Sequence, residues 1–452
     1  MRKRNVDMLN GNLYTNVLLF ALPLIASGII QLLFNAIDMI VVGQFSGSNS
    51  MAAVSSTGSL VSLVTNLFIG LSVGSSVCIA KRIGSGNYES ISEAVQTSIT
   101  IALIFGGILM FFGILFSKVL LEMMKSPADV IDLSTLYLRV YFTGMPATMV
   151  YNFASAVLRA KGDTKRPLII LSVAGLLNAL LNLFFVVTLK MDVAGVALAS
   201  SISTYVSAIM VVIVLVTDPG FTRLDIKDLH VDINTLKEIA TVGIPAGIQA
   251  TLFSLSNVVI QSSINEFGGI VMAANGAASS IGNFIYTAMN SFQQTCLTFT
   301  SQNLGAKKID RIKSVLLVCS ICVTVIGLVL GIGAYTFGET LLGFYTKDKE
   351  VIASGMIRLL YVSVPYFMYG LMDVIVGALR GIGSSIGPMI VSLMGICVFR
   401  LVWVATYFKT HHTIEVLYAS YPISWIITAL VQFVIFVFAY SKLKKRMSTN
   451  EI

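Results

Sequence analysis

The sequence predicts an all-α polytopic membrane protein: twelve transmembrane helices in two six-helix lobes that repeat one another. Three observations carry that expectation. Of the 452 residues, 56% are hydrophobic and 12% charged, against roughly 25% charged in an average soluble domain. The mean hydropathy of +0.86 is too high for a single anchor helix to produce over so long a chain. Landmarks of the first half also return in the second at a nearly constant offset. An ordinary soluble enzyme is thereby excluded. The excess of 30 Lys and Arg over 22 Asp and Glu is read as basic loops beside a membrane rather than as a nucleic-acid surface.

Apolar stretches near 20 residues or longer place the spans, in order, at about 14–43, 51–79, 94–117, 132–157, 167–189, 193–216, 239–265, 270–300, 314–337, 352–379, 388–408 and 416–440. The first follows a basic start, MRKRNVDMLNGNLY, but outlasts a signal h-region of about 7–15 residues, so no cleavable signal is expected. The fourth and tenth carry Pro146 and Pro365, the first and seventh Pro23 and Pro245. These prolines are expected to bend their helices, with gating as a second use. The longest polar break runs from Asp218-Pro219-Gly220 to about Lys237 and reads as a solvated or surface-lying helix. It divides the chain into an N-terminal lobe 1–217, an inter-lobe linker 218–237, a C-terminal lobe 238–441 and a basic tail 442–452.

Twelve spans put both termini on one side. Connections on that side hold 21 Lys and Arg and those opposite hold 6, so both termini are expected in the cytoplasm and the chain in the plasma membrane. The five cysteines fall in apolar segments, including the C-x-x-C of Cys319 and Cys322, and read as packing residues. His230, His411 and His412 lie in polar connections, which leaves no histidine for a metal site inside the membrane.

The repeat is explicit in the residues. Pro23 matches Pro245 at an offset of 222, Arg139 and Pro146 match Arg358 and Pro365 at 219, and LRAKGDTKRP at 158–167 matches LRGIGSSIGP at 379–388. Six is an even number of spans, so the halves are a parallel repeat about an axis along the membrane normal. The paired arginines at span ends, Arg139 with Arg358 and Arg159 with Arg380, read as interface anchors. Arg400, deep in the eleventh span, either reaches the interface or pairs with an acid or carbonyls.

Nearly all acids lie in connections or at span edges; Asp38 and Asp373 do not. An ionisable group within a span costs several kcal/mol unless it faces a cavity or a partner. Ser27, Gln31, Asn35 and Asp38 stack on one helical face, and Asn178 and Asn182 share a face of the fifth span. Asn152 joins them as a candidate from the fourth span. A carboxylate among amides and hydroxyls can take up a proton or help cage a monovalent cation, although such polar groups also serve as interhelical glue. In the second half the candidate lining is Asn257, Gln261, Asn283, Tyr286, Tyr369 and Asp373. The repeat matches Asn152 with Asp373 and Asp38 with Ile260, so the two buried acids are not equivalent and the shared scaffold demands neither. No HExxH, DDxxD-type pair or Ser-His pair in the spans points to an enzyme.

The 6+6 spans, the early LPLI, FNAIDMIVVG around Asp38, SQNLGA at 301–306 and VIVGALRGIG after Asp373 together resemble the multidrug and toxic compound extrusion (MATE) transporters of bacteria, over essentially the whole chain. The resemblance implies a V-shaped pair of lobes around a cavity that alternates between the membrane faces. It also implies export of amphipathic organic cations or other xenobiotics by antiport with H+ or Na+, with no cofactor beyond the coupling ion and a monomeric state. By resemblance, Asp38 is an ion-coupling site with Gln31, Asn152 and Asn178 as polar neighbours, and Asp373 corresponds to an acid of the sodium-coupled branch. Asn182 and Phe253 stand where some members carry acids, and each departure removes a negative ligand. The alternative reading is a lipid-linked oligosaccharide flippase of the same superfamily.

Overall fold

The computed structural model describes residues 5–124 and 128–448. The basic residues at positions 2–4 and the end of the tail, 449–452, lie outside the described residues. Every regular element among the described residues is helical. The order is α1 Leu13–Phe45, α2 Ser48–Ser85, α3 Tyr88–Met123, α4 Ala128–Phe142, α5 Met145–Ala160, α6 Lys165–Asn182, α7 Asp192–Val216, α8 Ile233–Asn265, α9 Gly269–Gly305 and α10 Ile309–Thr336. It continues with α11 Gly338–Gly343, α12 Lys349–Arg358, α13 Tyr366–Gly381, α14 Ile386–Ser392, α15 Phe399–Trp403 and α16 Ile414–Ser448.

Ten described stretches are long and apolar enough to cross a membrane. The other two expected spans are present in altered form. The fourth is broken at Thr143-Gly144 into α4 and α5, because Pro146 sits at the start of α5, where its missing N–H costs nothing. The eighth is the unbroken α9, 37 residues long but diluted by the amides spaced along it. The tenth changes register instead of breaking: α12 passes through a π-helical turn, Leu359–Ser363, before Pro365 precedes α13. Pro23 and Pro245 lie inside continuous α-helix, as does Pro422 in α16.

Two compact units emerge, Met1–Val6 with Ala26–Gly247 and Asp7–Ile25 with Ile248–Ile452. The chain changes unit inside α1 and α8, in each case three residues after the proline. Proline removes one ladder hydrogen bond and crowds the preceding turn, so the helix is weakest there.

In the first unit α3 packs on α5 and α4, α2 on α5, and α6 on α7. The first half of α8 joins through small residues. A methyl built at Gly70 would fall 2.3 Å from the Gly247 nitrogen, and one at Gly74 2.1 Å from the Ile239 oxygen. Only glycine allows backbones so close. Glu238 closes this seam with Lys81 at 3.2 Å and Arg82 at 3.1 Å. In the second unit α13 packs on α9, α10 and α16. The segment ahead of Pro23 is tied in by Asn303 donating to the Met8 carbonyl at 3.0 Å, Lys308 donating to the Leu9 carbonyl at 2.9 Å, and Phe20 edge-on to Phe299.

The connection at 218–237 is not the surface helix expected of it. Ahead of the first turn of α8 it holds one short 3₁₀ turn, Ile226–Asp228, and is anchored in the first unit by Leu224, Thr222 and Asp218, all buried. Lys161 Nζ lies 2.5 Å from Asp218 Oδ2, and the Thr222 hydroxyl donates to the same oxygen. Burial raises the Asp218 carboxyl, but the hydrogen bonds from Lys161 and Thr222 and the Lys161 charge prevail and hold it below its ordinary value.

Two of the four repeated arginines depart from the anchoring expected of them. Arg139 is exposed, whereas Arg358 and Arg380 are buried. Arg400 neither reaches the interface nor meets an acid. Its Nε donates to Ser424 Oγ at 3.1 Å, and its guanidinium lies 4.1 Å above the Tyr421 ring.

Candidate functional site

The first unit builds its site where α1 meets α6. Gly175 makes the approach possible: a methyl there would fall 1.6 Å from a ring carbon of Phe34. One turn beyond Phe34 is Asp38, and one and two turns beyond Gly175 are Asn178 and Asn182. The Phe34–Gly175 contact therefore sets the register that brings carboxylate and amides together. Asn182 is the last residue of α6 before a π-helical turn, Leu183–Thr188, a feature common at functional positions.

The hydrogen bonds form a closed ring. Asn182 Nδ2 donates to Asp38 Oδ1 and, at 3.1 Å, to Asn178 Oδ1. Asn178 Nδ2 donates to Ser200 Oγ at 3.3 Å, and Ser200 Oγ donates to Asp38 Oδ2 at 3.4 Å. Both groups bonded to the carboxylate, Asn182 and Ser200, donate to it, the arrangement that suits an ionised acid. One polar atom is left over: Asn182 Oδ1 is buried and has no hydrogen-bond partner. Tyr137 and Tyr141, stacked at 5.8 Å on α4, lie within electrostatic reach of Asp38.

Of the residues singled out in the sequence, Asp38, Asn178 and Asn182 are thus brought together. Asn152 is not part of the ring; its amide donates to the Thr148 carbonyl of its own helix at 2.8 Å. Gln31 and Asn35 are exposed on α1. Ser200, Tyr137 and Tyr141 were not foreseen. Ser200 sits in the run ALASSIS, where nothing distinguishes it from its packing neighbours.

In the second unit Asp373 is buried on α13, its Oδ2 without a hydrogen-bond partner, with Tyr369 and Asn290 nearby and Arg380 in electrostatic reach. Arg380 Nη2 also donates to Gln249 Oε1 at 2.9 Å. Above Asp373 the rings gather. Tyr369 lies 5.6 Å from Tyr286 and 5.7 Å from Trp425, and Tyr366 lies 5.2 Å from Trp425. Gln261 accepts from Asn275 at 2.9 Å, and Asn275 accepts from the Tyr418 hydroxyl at 3.2 Å. Asn257 and Asn283 are exposed on α8 and α9. A buried carboxylate beside aromatic faces can attract an apolar cation by charge and by cation–π contact. A separate apolar groove of about 1010 Å³ between α10, α13 and α16, ending at Lys313 and Lys444, contains none of these residues.

Comparison with known proteins gives a consistent result. The model of a family described as MatE matches twice, over residues 23–184 and 245–406, which reproduces the 222-residue offset of Pro23 and Pro245. The chain is 27% identical over 441 residues to the "Probable multidrug resistance protein YoeA" of Bacillus subtilis, covering 95% of each chain. It is 25% identical to the "Probable multidrug resistance protein NorM" of Thermotoga maritima, covering 84% of this chain and 82% of that one. A solved structure described as the outward-facing conformation of a multidrug resistance MATE family transporter superposes with a TM-score of 0.91. That match has 21% identity and covers 98% of this chain and all of the other, a likeness of fold.

Proposed function

The chain belongs to the MatE family of multidrug efflux transporters, multi-pass membrane proteins that move small organic molecules, and from that premise we propose that it exports amphipathic organic cations by antiport with H+ or Na+. The observation that carries the coupling is the ring around Asp38. An ionised Asp38 accepts from Asn182 and Ser200. A proton on Asp38 Oδ1 turns an acceptor into a donor that faces the Asn182 N–H, which cannot accept. The conflict is relieved when the Asn182 amide turns and offers its spare Oδ1, which breaks the bond to Asn178 and reorganises α6 against α1. Sodium works through the same atoms: the Asp38 carboxylate, Asn178 Oδ1, Asn182 Oδ1 and Ser200 Oγ are all hard oxygen donors. Either ion changes the helix contact that carries the site, and coupling requires only that ion and drug prefer different states.

Alternating exposure of the drug site to the two membrane faces uses α1 and α8 at Pro23 and Pro245, where each helix is weakest, together with the break at Pro146 and the π-helical turn before Pro365. In the second unit Asp373 with Tyr286, Tyr369 and Trp425 supplies the counter-charge and apolar walls for the cation, with Asn257, Gln261 and Asn283 as polar lining; in the first unit Gln31 and Asn35 serve as polar lining. The protein works as a monomer in the plasma membrane with both termini cytoplasmic. The flippase alternative is not favoured, since the relatives described above carry multidrug-resistance names.

The test is a reconstituted vesicle containing a fluorescent organic cation, driven separately by a pH step and by a sodium step. One of the two steps is expected to drive dye movement, and Asp38→Asn to abolish it while leaving the protein folded. Wild-type pumping by Asp38→Asn would sink the coupling role.

A further inference from the structure

The apolar groove of the second unit, about 1010 Å³, lies at the top of the roughly 300–1,000 Å³ range of ligand sites, and it has a direction. Its wall on α16 is apolar from Ala429 to Tyr440 and polar from Ser441 onward, where Lys444 and Lys445 line it. The wall on α10 shows the same gradient, with Lys313 at the polar end and Leu316 and Leu317 along the apolar part. Leu371 and Ile375 of α13 complete the lining. Ile375 and Phe436 are buried, whereas Leu317 and Leu430 at the rim are 60% and 63% exposed. All three helices belong to membrane spans, so the groove opens onto lipid. Ala429 and Tyr440 are eleven residues apart, about 16 Å of helix at about 1.5 Å per residue. That is the depth of one leaflet, half of a hydrocarbon core about 30 Å thick.

The polar end carries a surplus of positive charge. Lys444 meets Asp310 Oδ1 at 3.2 Å, and the Tyr440 hydroxyl donates to the same oxygen at 3.3 Å. Lys313 Nζ lies 4.7 Å from the centre of the Tyr440 ring. One carboxylate is thus set between two lysines, and from Phe438 to Ser448 the sequence adds Lys442, Lys445 and Arg446 to Lys444 without a single acid. The repeat does not require this. α7, the counterpart of α16, ends at Val216, which at the offset of 221 between LRAKGDTKRP and LRGIGSSIGP corresponds to Val437. The turns of α16 that carry its lysines therefore extend beyond anything in the first half. A cationic end on a leaflet-deep apolar slot repels an organic cation and complements an anionic amphiphile.

We propose that the groove between α10, α13 and α16 binds an anionic phospholipid, its acyl chains along the apolar walls and its phosphate between Lys313 and Lys444. The lipid comes from the leaflet on the side of the chain's C-terminus, and it ties the added turns of α16 to the start of α10. This site rests on the membrane placement of the chain and stands independently of the transport reading, so its test reads stability rather than export.

The experiment is thermal unfolding of the purified full-length protein in detergent, titrated with dioleoyl phosphatidylglycerol, with dioleoyl phosphatidylcholine, or with inorganic phosphate at constant ionic strength. Phosphatidylglycerol is expected to raise the midpoint saturably and the other two not to, since a ligand held only by the native state stabilises as its concentration passes its Kd. Lys313 and Lys444 are exposed, so Lys313→Gln/Lys444→Gln is expected to fold and to raise the half-saturating concentration at least about tenfold. Ala429→Phe, which fills the apolar part, is expected to weaken the response as well. Lys347→Gln/Lys349→Gln, exposed residues beyond the far end of α10, removes the same charge elsewhere and is expected to keep it. Equal responses to the two lipids would overturn the proposal, as would an unchanged response in Lys313→Gln/Lys444→Gln or an equal loss in Lys347→Gln/Lys349→Gln. A response to inorganic phosphate alone would make this a simple anion site, and a lipid-free dimer that Ala429→Phe dissociates would make a second copy the occupant; either result also overturns it.

Discussion

Gly175→Ala tests whether helix approach sets the Asp38 ring. The added methyl would sit 1.6 Å from a Phe34 ring carbon, whereas ordinary contact begins near 3.4 Å, so about 1.8 Å must open between them. Overpacking of this kind costs about 1–3 kcal/mol. The ring has no slack to absorb the movement. Ser200 already donates to Asp38 at 3.4 Å, and hydrogen bonds to a charged acceptor are worth about 1.5–3 kcal/mol each. Gradient-driven dye efflux is therefore expected to fall about tenfold or more, because a loss of 1.4 kcal/mol is already one factor of ten. The decisive measurement is compensation. Phe34→Ala removes the obstructing ring, and in a double-mutant cycle Phe34→Ala/Gly175→Ala is expected to recover most of the efflux that Gly175→Ala loses. Wild-type efflux in Gly175→Ala, or a double variant as inactive as Gly175→Ala alone, would refute the claim that this contact positions the carboxylate.

Other consequences are accessible to simple measurements. Gly70→Ala must push α2 from α8, and its unfolding midpoint is expected below that of Gly107→Ala, whose methyl meets nothing within 4 Å; equal midpoints would count against the small-residue seam. Asp218→Asn leaves Lys161 without its carboxylate and is expected to cost about 2–3 kcal/mol at neutral pH. Because the folded Asp218 value lies below the unfolded one, this stabilisation is present above about pH 4 and is lost as pH falls through the folded value. The stability gap between wild type and Asp218→Asn should accordingly close in acid, and a gap independent of pH would contradict the assignment. Asn182→Leu keeps the volume but removes the amide that bonds both Asp38 and Asn178, and is expected to reduce efflux more than Asn152→Leu, which removes only a bond within its own helix. The same dye assay ranks the two.

The sequence by itself determined what depends on solvation and on periodicity. A chain that is 12% charged must bury its backbone polar groups in helices within a bilayer, and landmarks offset by about 220 residues must fold as two related halves. Asp38 and Asp373 stood out because a carboxylate in an apolar run is expensive wherever the run ends up. Asn178 and Asn182 were legible as partners because a four-residue spacing shares a helical face.

Tertiary structure decided everything that depends on which face meets which. Ser200 became a ligand of Asp38 and Asn152 did not, since a serine in a run of small residues and an asparagine on a polar face carry the same local signal either way. Prolines of one sequence type were resolved into two uses: Pro23 and Pro245 lie inside helices where the chain changes unit, and Pro146 and Pro365 begin new helical segments after a break or a π-helical turn. Arg139 and Arg358, a matched pair in the repeat, ended in opposite environments, one exposed and one buried among unpartnered donors. Sequence spacing fixes the angle at which a side chain leaves its own helix; burial and partnership depend on the neighbouring helix, and here that was set by close approaches at residues such as Gly175 and Gly70.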